Sequence, residues 1–248
     1  MEVKRQGWIR TRRPGNAGAV GNTLEDILGI AENNLSISNT AEWELKVQRR
    51  NTNSLLTLFH FEPSPRAARL VPQFLLPYYG WPHDKAGKKH PPDERSFRQT
   101  LDVRKHTDRG FKLVVDSAHE TLRLSFDAAK VDPRHETWKK SVQQRVGLEE
   151  LDPQPYWNIK ELIHHAGIKL HNMFYVIADS RGRGEYEEFN YSDMIMLMNF
   201  EGERFLESLL RGDIQVDFDA RTGHNHGTKF RLNSKLIPSL YRDVRKVE

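Results

Sequence analysis

The chain contains no cysteine. Disulfides, thiolate zinc centres and a cysteine nucleophile are therefore excluded. It also has no stretch approaching the roughly 20 apolar residues that a helix needs to span a bilayer. The first residues, Met1-Glu2-Val3-Lys4-Arg5, lack the apolar centre of a signal peptide. These absences predict a soluble, cytoplasmic bacterial protein with no membrane partner. No internal repeat and no low-complexity segment interrupt the sequence, which excludes solenoid and fibrous architectures. Apolar residues are sparse, at 37% of the total, against 29% charged. The core is adequate and the surface very polar.

What is present is positive charge, unevenly spread. The net charge is only +4, yet the isoelectric point is near 9.2. Arg10, Arg12 and Arg13 form a basic arm, residues 49–54 a basic turn, and Lys85, Lys88, Lys89 and His90 a basic loop. This pattern favours a polyanion as partner. With 248 residues, one large domain or two small lobes can form.

The stretch Glu42-Trp43-Glu44-Leu45-Lys46-Val47 alternates with a period of two. One face carries Trp43, Leu45 and Val47, and the other Glu42, Glu44 and Lys46. A metal-dependent phosphodiesterase needs such a strand. The carboxylate offers hard oxygen to a divalent cation, and the ammonium two residues on can orient an attacking water. The same pattern also fits a solvated strand. Upstream, residues 22–29 read as a helix capped by Thr23, with Leu24, Ile27 and Leu28 buried and Gly29 as its stop. Glu25 lies on the flank of that stripe, placed to approach Glu44; it reads equally as a first-turn carboxylate.

Residues 55–61 read as a strand and hairpin partner of 42–47. Residues 80–98 read as a long cationic loop, in which Lys88 and Lys89 suit phosphate contacts. A hairpin is expected over 111–126 and a helix over 138–146 ending at Gly147. A further helix is expected near 159–166, then a strand from 173 to 178. A turn over 181–184 and a strand over 185–191 follow, and then a helix ending at Gly212. Helices and strands alternate, so the fold class is α/β or α+β.

Residues 215–232 form the second informative stretch. Val216, Phe218 and Ala220 alternate with Asp217, Asp219 and Arg221. After Thr222-Gly223-His224-Asn225-His226-Gly227, Phe230 and Leu232 alternate with Lys229 and Arg231. A two-stranded ribbon fits the DNA major groove, where Asp219, Arg221, His224, Asn225, His226, Lys229 and Arg231 are residue types that read base edges. A zinc site on His224 and His226, or a solvated hairpin, are the other readings.

Residues 23–30, 32–34, 42–46, 94–100 and 219–231 together resemble the MvaI/BcnI family of type II restriction endonucleases, within the PD-(D/E)XK superfamily. The resemblance implies a mixed β-sheet flanked by helices and two MutH-like lobes forming a DNA cleft. We expect a catalytic lobe over about 15–150 and a recognition lobe over about 151–248 within one restriction-endonuclease-like domain. It implies that Glu44 binds metal, Lys46 assists the water and Glu25 supports the site, with Arg49 and the basic loop on DNA. It further implies Mg²⁺ as cofactor, with Ca²⁺ or Mn²⁺ able to take its place, and a monomer acting on double-stranded DNA at a short GC-rich site of the CC-x-GG kind. A cognate DNA methyltransferase is expected as a genetic partner. The chain departs from the pattern at Asn39, where the family carries a metal-binding Asp. This leaves either an enzyme or a binder without cleavage.

Overall fold

Strand registers determine which residues can share a site. The computed structural model describes residues 2–16, 18–29, 43–183 and 186–247. Asn39, Glu42 and Glu32 lie outside the described residues. Contacts group the chain into two units, each assembled from separated segments. The first comprises Met1–Leu56, His164–Arg204 and Asn233–Glu248; the second comprises Thr57–Ile163 and Phe205–Leu232. This partition differs from the expected 15–150 and 151–248, because the strand bearing Glu44 finds its partner in the second half of the chain.

In the first unit, one sheet runs in the order β1 (Ile9–Arg10), β10 (Tyr186–Phe200), β9 (Met173–Arg183) and β2 (Glu44–Arg49), and β13 (Tyr241–Val247) also pairs with β10. β2 lies parallel to β9, with Glu44 opposite Met173 and Lys46 opposite Tyr175. The expected hairpin between 42–47 and 55–61 is therefore incorrect. β3 (Leu56–His60) joins a different sheet. Alternation defines the faces of a strand but not its partner, and a parallel partner must come from far along the chain.

The helices are α1 (Glu2–Arg5), α2 (Ala19–Leu28), α3 (Glu136–Val146), α4 (Ile159–Leu170) and α5 (Gly202–Leu210). α2 begins earlier than its sequence suggested, after Gly18 rather than at Thr23. Thr23 is an interior residue whose hydroxyl donates to Thr11 Oγ1 at 2.8 Å. Gly29 does end the helix, in the left-handed region at φ 67°, where glycine carries no Cβ penalty. The buried stripe is Ala19, Val20, Thr23 and Leu24, while Leu28 is exposed. Leu45 and Val47 of β2 pack against the same cluster, with Val176 and Phe189.

The second unit contains two sheets. One runs β3, β12 (His224–Leu232), β11 (Ile214–Arg221), β5 (Arg95–Leu101) and β4 (Trp81–Pro82). The other runs β6 (Arg109–Asp116), β7 (Thr121–Val131) and β8 (Tyr156–Asn158). The expected hairpins over 111–126 and 215–232 are both present. The loop over 80–98 is shorter than read, since β4 and the start of β5 fall inside it. The turn expected over 181–184 is also corrected, because β9 continues to Arg183. Aromatic residues fill the core: Phe97, Phe111, Phe126, Trp157, Phe218 and Phe230 are each at most 3% exposed. Their rings meet edge-on or tilted, as between Phe97 and Phe111 at 5.4 Å, the arrangement that ring quadrupoles favour.

Candidate active site and nucleic-acid interface

On β2 the polar face is not solvated. Glu44 and Gln48 are 6% and 7% exposed. Lys46 Nζ lies 2.7 Å from Glu44 Oε1, as expected for residues two apart on one strand face. Gln48 Oε1 accepts from the Tyr175 hydroxyl at 3.0 Å. Glu44 Oε2 is buried and has no hydrogen-bond partner among the described residues. A buried carboxylate oxygen without a donor is costly. A hard divalent cation is the kind of group that an open, anionic oxygen of this sort accepts. The donor chemistry at Glu44 therefore fits such an ion. A solvated strand would show the opposite burial.

Two groups near Glu44 carry no motif. Lys169, near the end of α4, is partly desolvated. Burial lowers its pKa, the Glu44 charge raises it and the Lys46 charge lowers it further. Tyr241, at the start of β13, is 1% exposed. Burial pushes its phenol up, and the Glu44 charge pushes it further in the same direction. Neither was identified in the sequence, because a single lysine late in a helix and a tyrosine before a strand leave no spacing signal. Glu25 is half-buried on α2, the helix packed on the Leu45 and Val47 side of β2. Arg49, an expected DNA contact, is held by Glu187 at 2.8 Å.

In the second unit the charged face of β5, β11 and β12 forms a paired network. Asp219 is held by Arg98 at 2.7 Å and Lys229 at 2.8 Å. Asp217 accepts from Thr100 at 2.9 Å and Arg231 at 3.1 Å. Burial pushes the Asp219 carboxyl up, but the hydrogen bond and charge of Lys229, then Arg98 and His226, outweigh it, and the net shift is downward. Arg221 is held by Glu94 at 2.8 Å, and its hydrogen bond is the main reason the Glu94 carboxyl sits below its ordinary range. The sequence reading missed Arg98, Glu94 and Glu62. Glu62 accepts from the Thr228 amide and hydroxyl and from Asn225 Nδ2, so it orients β12 from outside the hairpin.

The hairpin turns at Thr222-Gly223, between paired Arg221 and His224, and not over the longer span 222–227. The register shifts between Phe218 and Ala220. Gly227 stands opposite at φ 80°, where an L side chain would be strained and would crowd His60. His224, Asn225 and His226 are exposed. Among the described residues no three His, Asp or Glu side chains group to hold a metal, so the zinc reading has no support. A recess of about 400 Å³ brings His83, Lys85 and His90 together with Arg98, Arg221 and His226. The basic loop and the hairpin therefore share one surface. Lys88 and Lys89 are exposed on the turn beside it.

Arg221→Ala is expected to lower the melting temperature, because it leaves the buried Glu94 carboxylate without its guanidinium. Thermal unfolding of the variant beside Glu94→Gln checks this. A double variant that melts well below either single variant would sink the pairing argument.

This architecture, a mixed sheet with a buried Glu-x-Lys strand beside α2, can be compared with known proteins. It is similar to the solved complex of restriction endonuclease MvaI with its cognate DNA substrate. The TM-score is 0.76, with 24% identity over 99% of this chain and 94% of that one. It is also similar to MvaI in the absence of DNA, with a TM-score of 0.50 and 22% identity over 100% and 94% of the two chains. No curated protein matches the chain. At these identities the likeness establishes the fold, a mixed α+β arrangement of the PD-(D/E)XK nuclease type. No helix among the described residues is long and apolar enough to cross a membrane. Sequence carries the assignment further than fold, since residues 1–241 match one family throughout: the chain belongs to the MvaI/BcnI restriction endonuclease family.

Proposed function

We propose that the chain is a divalent-metal-dependent type II restriction endonuclease that cleaves double-stranded DNA at a short GC-rich site of the CC-x-GG kind. The observation that carries this reading is the Glu44–Lys46 pair, a buried carboxylate with one oxygen taken by the ammonium and the other open. Glu44 would hold the cation, Mg²⁺ in the cell, together with residue 39. When bound, the cation supplies Lewis-acid stabilisation of phosphoryl charge and a more acidic water. Lys46, anchored at Glu44 Oε1, has donors left for a phosphate oxygen or the attacking water. Glu25 supports the strand from its helix.

The first unit is then the catalytic lobe and the second the recognition lobe. Duplex DNA as partner is supported by family membership and by the solved MvaI complex with cognate DNA. In the recognition lobe, Arg98, Asp219, Arg221, Lys229 and Arg231 are pre-oriented by mutual ion pairs, which lowers the entropy cost of presenting them to base edges. His224, Asn225 and His226 lie exposed at the tip. Lys88, Lys89 and Arg49 serve the phosphate backbone, and the protein acts as a monomer in the bacterial cytoplasm.

A second reading is supported by Asn39. With an amide where the family carries an Asp, the chain would bind its site without cutting. Plasmid cleavage with Mg²⁺ and with chelator separates the readings. Discrete fragments only with Mg²⁺ support the enzyme. Intact plasmid, with a specific mobility shift on CC-x-GG DNA, supports the binder.

Phosphate and base contacts separate by salt. Neutralising Lys88 and Lys89 is expected to weaken binding to all sequences alike and to flatten the salt dependence by about one unit per lost contact. Arg231→Ala is expected instead to relax discrimination between cognate and mismatched sites, by ~1–3 kcal/mol for a bidentate base contact. Equal losses on cognate and random DNA would remove Arg231 from base reading.

A further inference from the structure

The end of the first unit's sheet where Glu44 sits carries a second buried polar atom that the proposed chemistry does not use. β2, β9 and β13 begin at this end, and β10 finishes there. The Glu44 amide donates to Asn172 O at 2.9 Å, and the Phe200 amide to His171 O at 3.3 Å. Register places Tyr241 opposite Phe200 and Glu44 opposite Met173, which in turn pairs with Leu197. The Tyr241 and Phe200 rings meet edge-on at 5.9 Å.

The Tyr241 hydroxyl is buried and without a hydrogen-bond partner among the described residues, as is Glu44 Oε2. Buried phenols normally find one. The two atoms are therefore not bonded to each other, although the Glu44 charge acts on the hydroxyl. One is an acceptor that suits a cation, and the other is a protonated donor. Mg²⁺ dehydrates reluctantly and keeps several waters, and a water on such an ion seeks an oxygen acceptor such as a phenol.

We propose that Tyr241 is a positioning residue of the divalent-cation site, its hydroxyl hydrogen-bonding the hydration shell of the cation that Glu44 would hold. The inference rests on the reading of Glu44 as the metal-binding carboxylate. It gives the strand following the Ser234–Leu240 turn a part in the active site that its sequence does not announce.

The test is calorimetric titration of the full chain with Mg²⁺ and with Ca²⁺, and melting with and without each ion, for the parent, Tyr241→Phe and Glu44→Gln. Tyr241→Phe is expected to weaken Mg²⁺ binding about 10-fold, the scale of outer-sphere losses, and to shrink the rise in melting temperature on adding metal. Its metal-free melting temperature should be equal or higher, since an unpaired buried hydroxyl has been removed. Unchanged affinity overturns the proposal. So does a lower metal-free melting temperature with unchanged affinity, which marks a purely structural tyrosine. Should Glu44→Gln titrate like the parent, the underlying assignment of Glu44 fails, and the proposal with it. Loss of binding in Glu44→Gln with no change in Tyr241→Phe overturns the tyrosine alone.

Discussion

Asn39→Asp is expected to raise Mg²⁺-dependent plasmid cleavage by about 100-fold or more, since even outer-sphere partners are worth 10–100-fold to a metal site. The charges around β2 supply the reason. Glu44 is a single carboxylate, one of whose oxygens is already neutralised by Lys46 at 2.7 Å. Lys169 adds a second ammonium within electrostatic reach. One negative charge facing two positive charges is a poor site for a divalent cation, and an amide oxygen at position 39 adds no charge. An aspartate there would restore the balance. The same change has a cost without metal, because a second acid near Glu44 disfavours joint ionisation. The variant should therefore melt slightly lower than the parent in chelator and gain more on adding Mg²⁺. If the parent already cuts at full rate and the aspartate changes neither rate nor melting, residue 39 is not the missing ligand, and Glu42 or Glu32 must supply the second acid.

The sequence was most informative where local periodicity and local pairing coincide. β11 and β12 alternate cleanly and are joined by a short turn, so their faces, partner and charged network were legible together. β6 with β7 and α3 with its Gly147 stop were legible for the same reason. β2 was half legible. Its alternation placed Glu44 and Lys46 on one face, but its parallel pairing with β9 joins segments from opposite halves of the chain, and nothing local encodes that. The adjacent apolar run 55–61 was accordingly assigned to the wrong sheet. Burial was harder to read than periodicity. Leu28 continues the apolar stripe of α2 in sequence yet is exposed, because the helix starts three residues earlier than Asn22 and presents Ala19 and Val20 instead. Small residues carry little weight in a hydrophobic pattern even when they make the closest packing. Lys169, Tyr241, Arg98 and Glu94 reach their sites through tertiary structure alone.

Lys46→Ala is expected to reduce the cleavage rate by ~10²–10⁴, the range typical of a positioned proton-transfer group, while specific DNA binding in Ca²⁺ stays within a few-fold of the parent. Interactions made only in the transition state appear in kcat and not in ground-state affinity. The ion pair adds a second, separable consequence. Lys46 is the donor printed on Glu44 Oε1, and Glu44 is buried, so removing the ammonium leaves both oxygens of a buried carboxylate unsatisfied. That costs about 1–3 kcal/mol in the metal-free protein. It also removes a competing positive charge, so Mg²⁺ should bind the variant at least as tightly and recover more of its stability. Lys46→Arg distinguishes charge from geometry. The guanidinium keeps the pair with Glu44, and hence the melting temperature, but its planar fork cannot place a compact donor on the water. Full activity in Lys46→Arg with none in Lys46→Ala would reduce the role of Lys46 to charge alone, and unchanged turnover in Lys46→Ala would take it out of the mechanism. Loss of rate in both variants, with stability lost only in alanine, is the result the geometry of β2 requires.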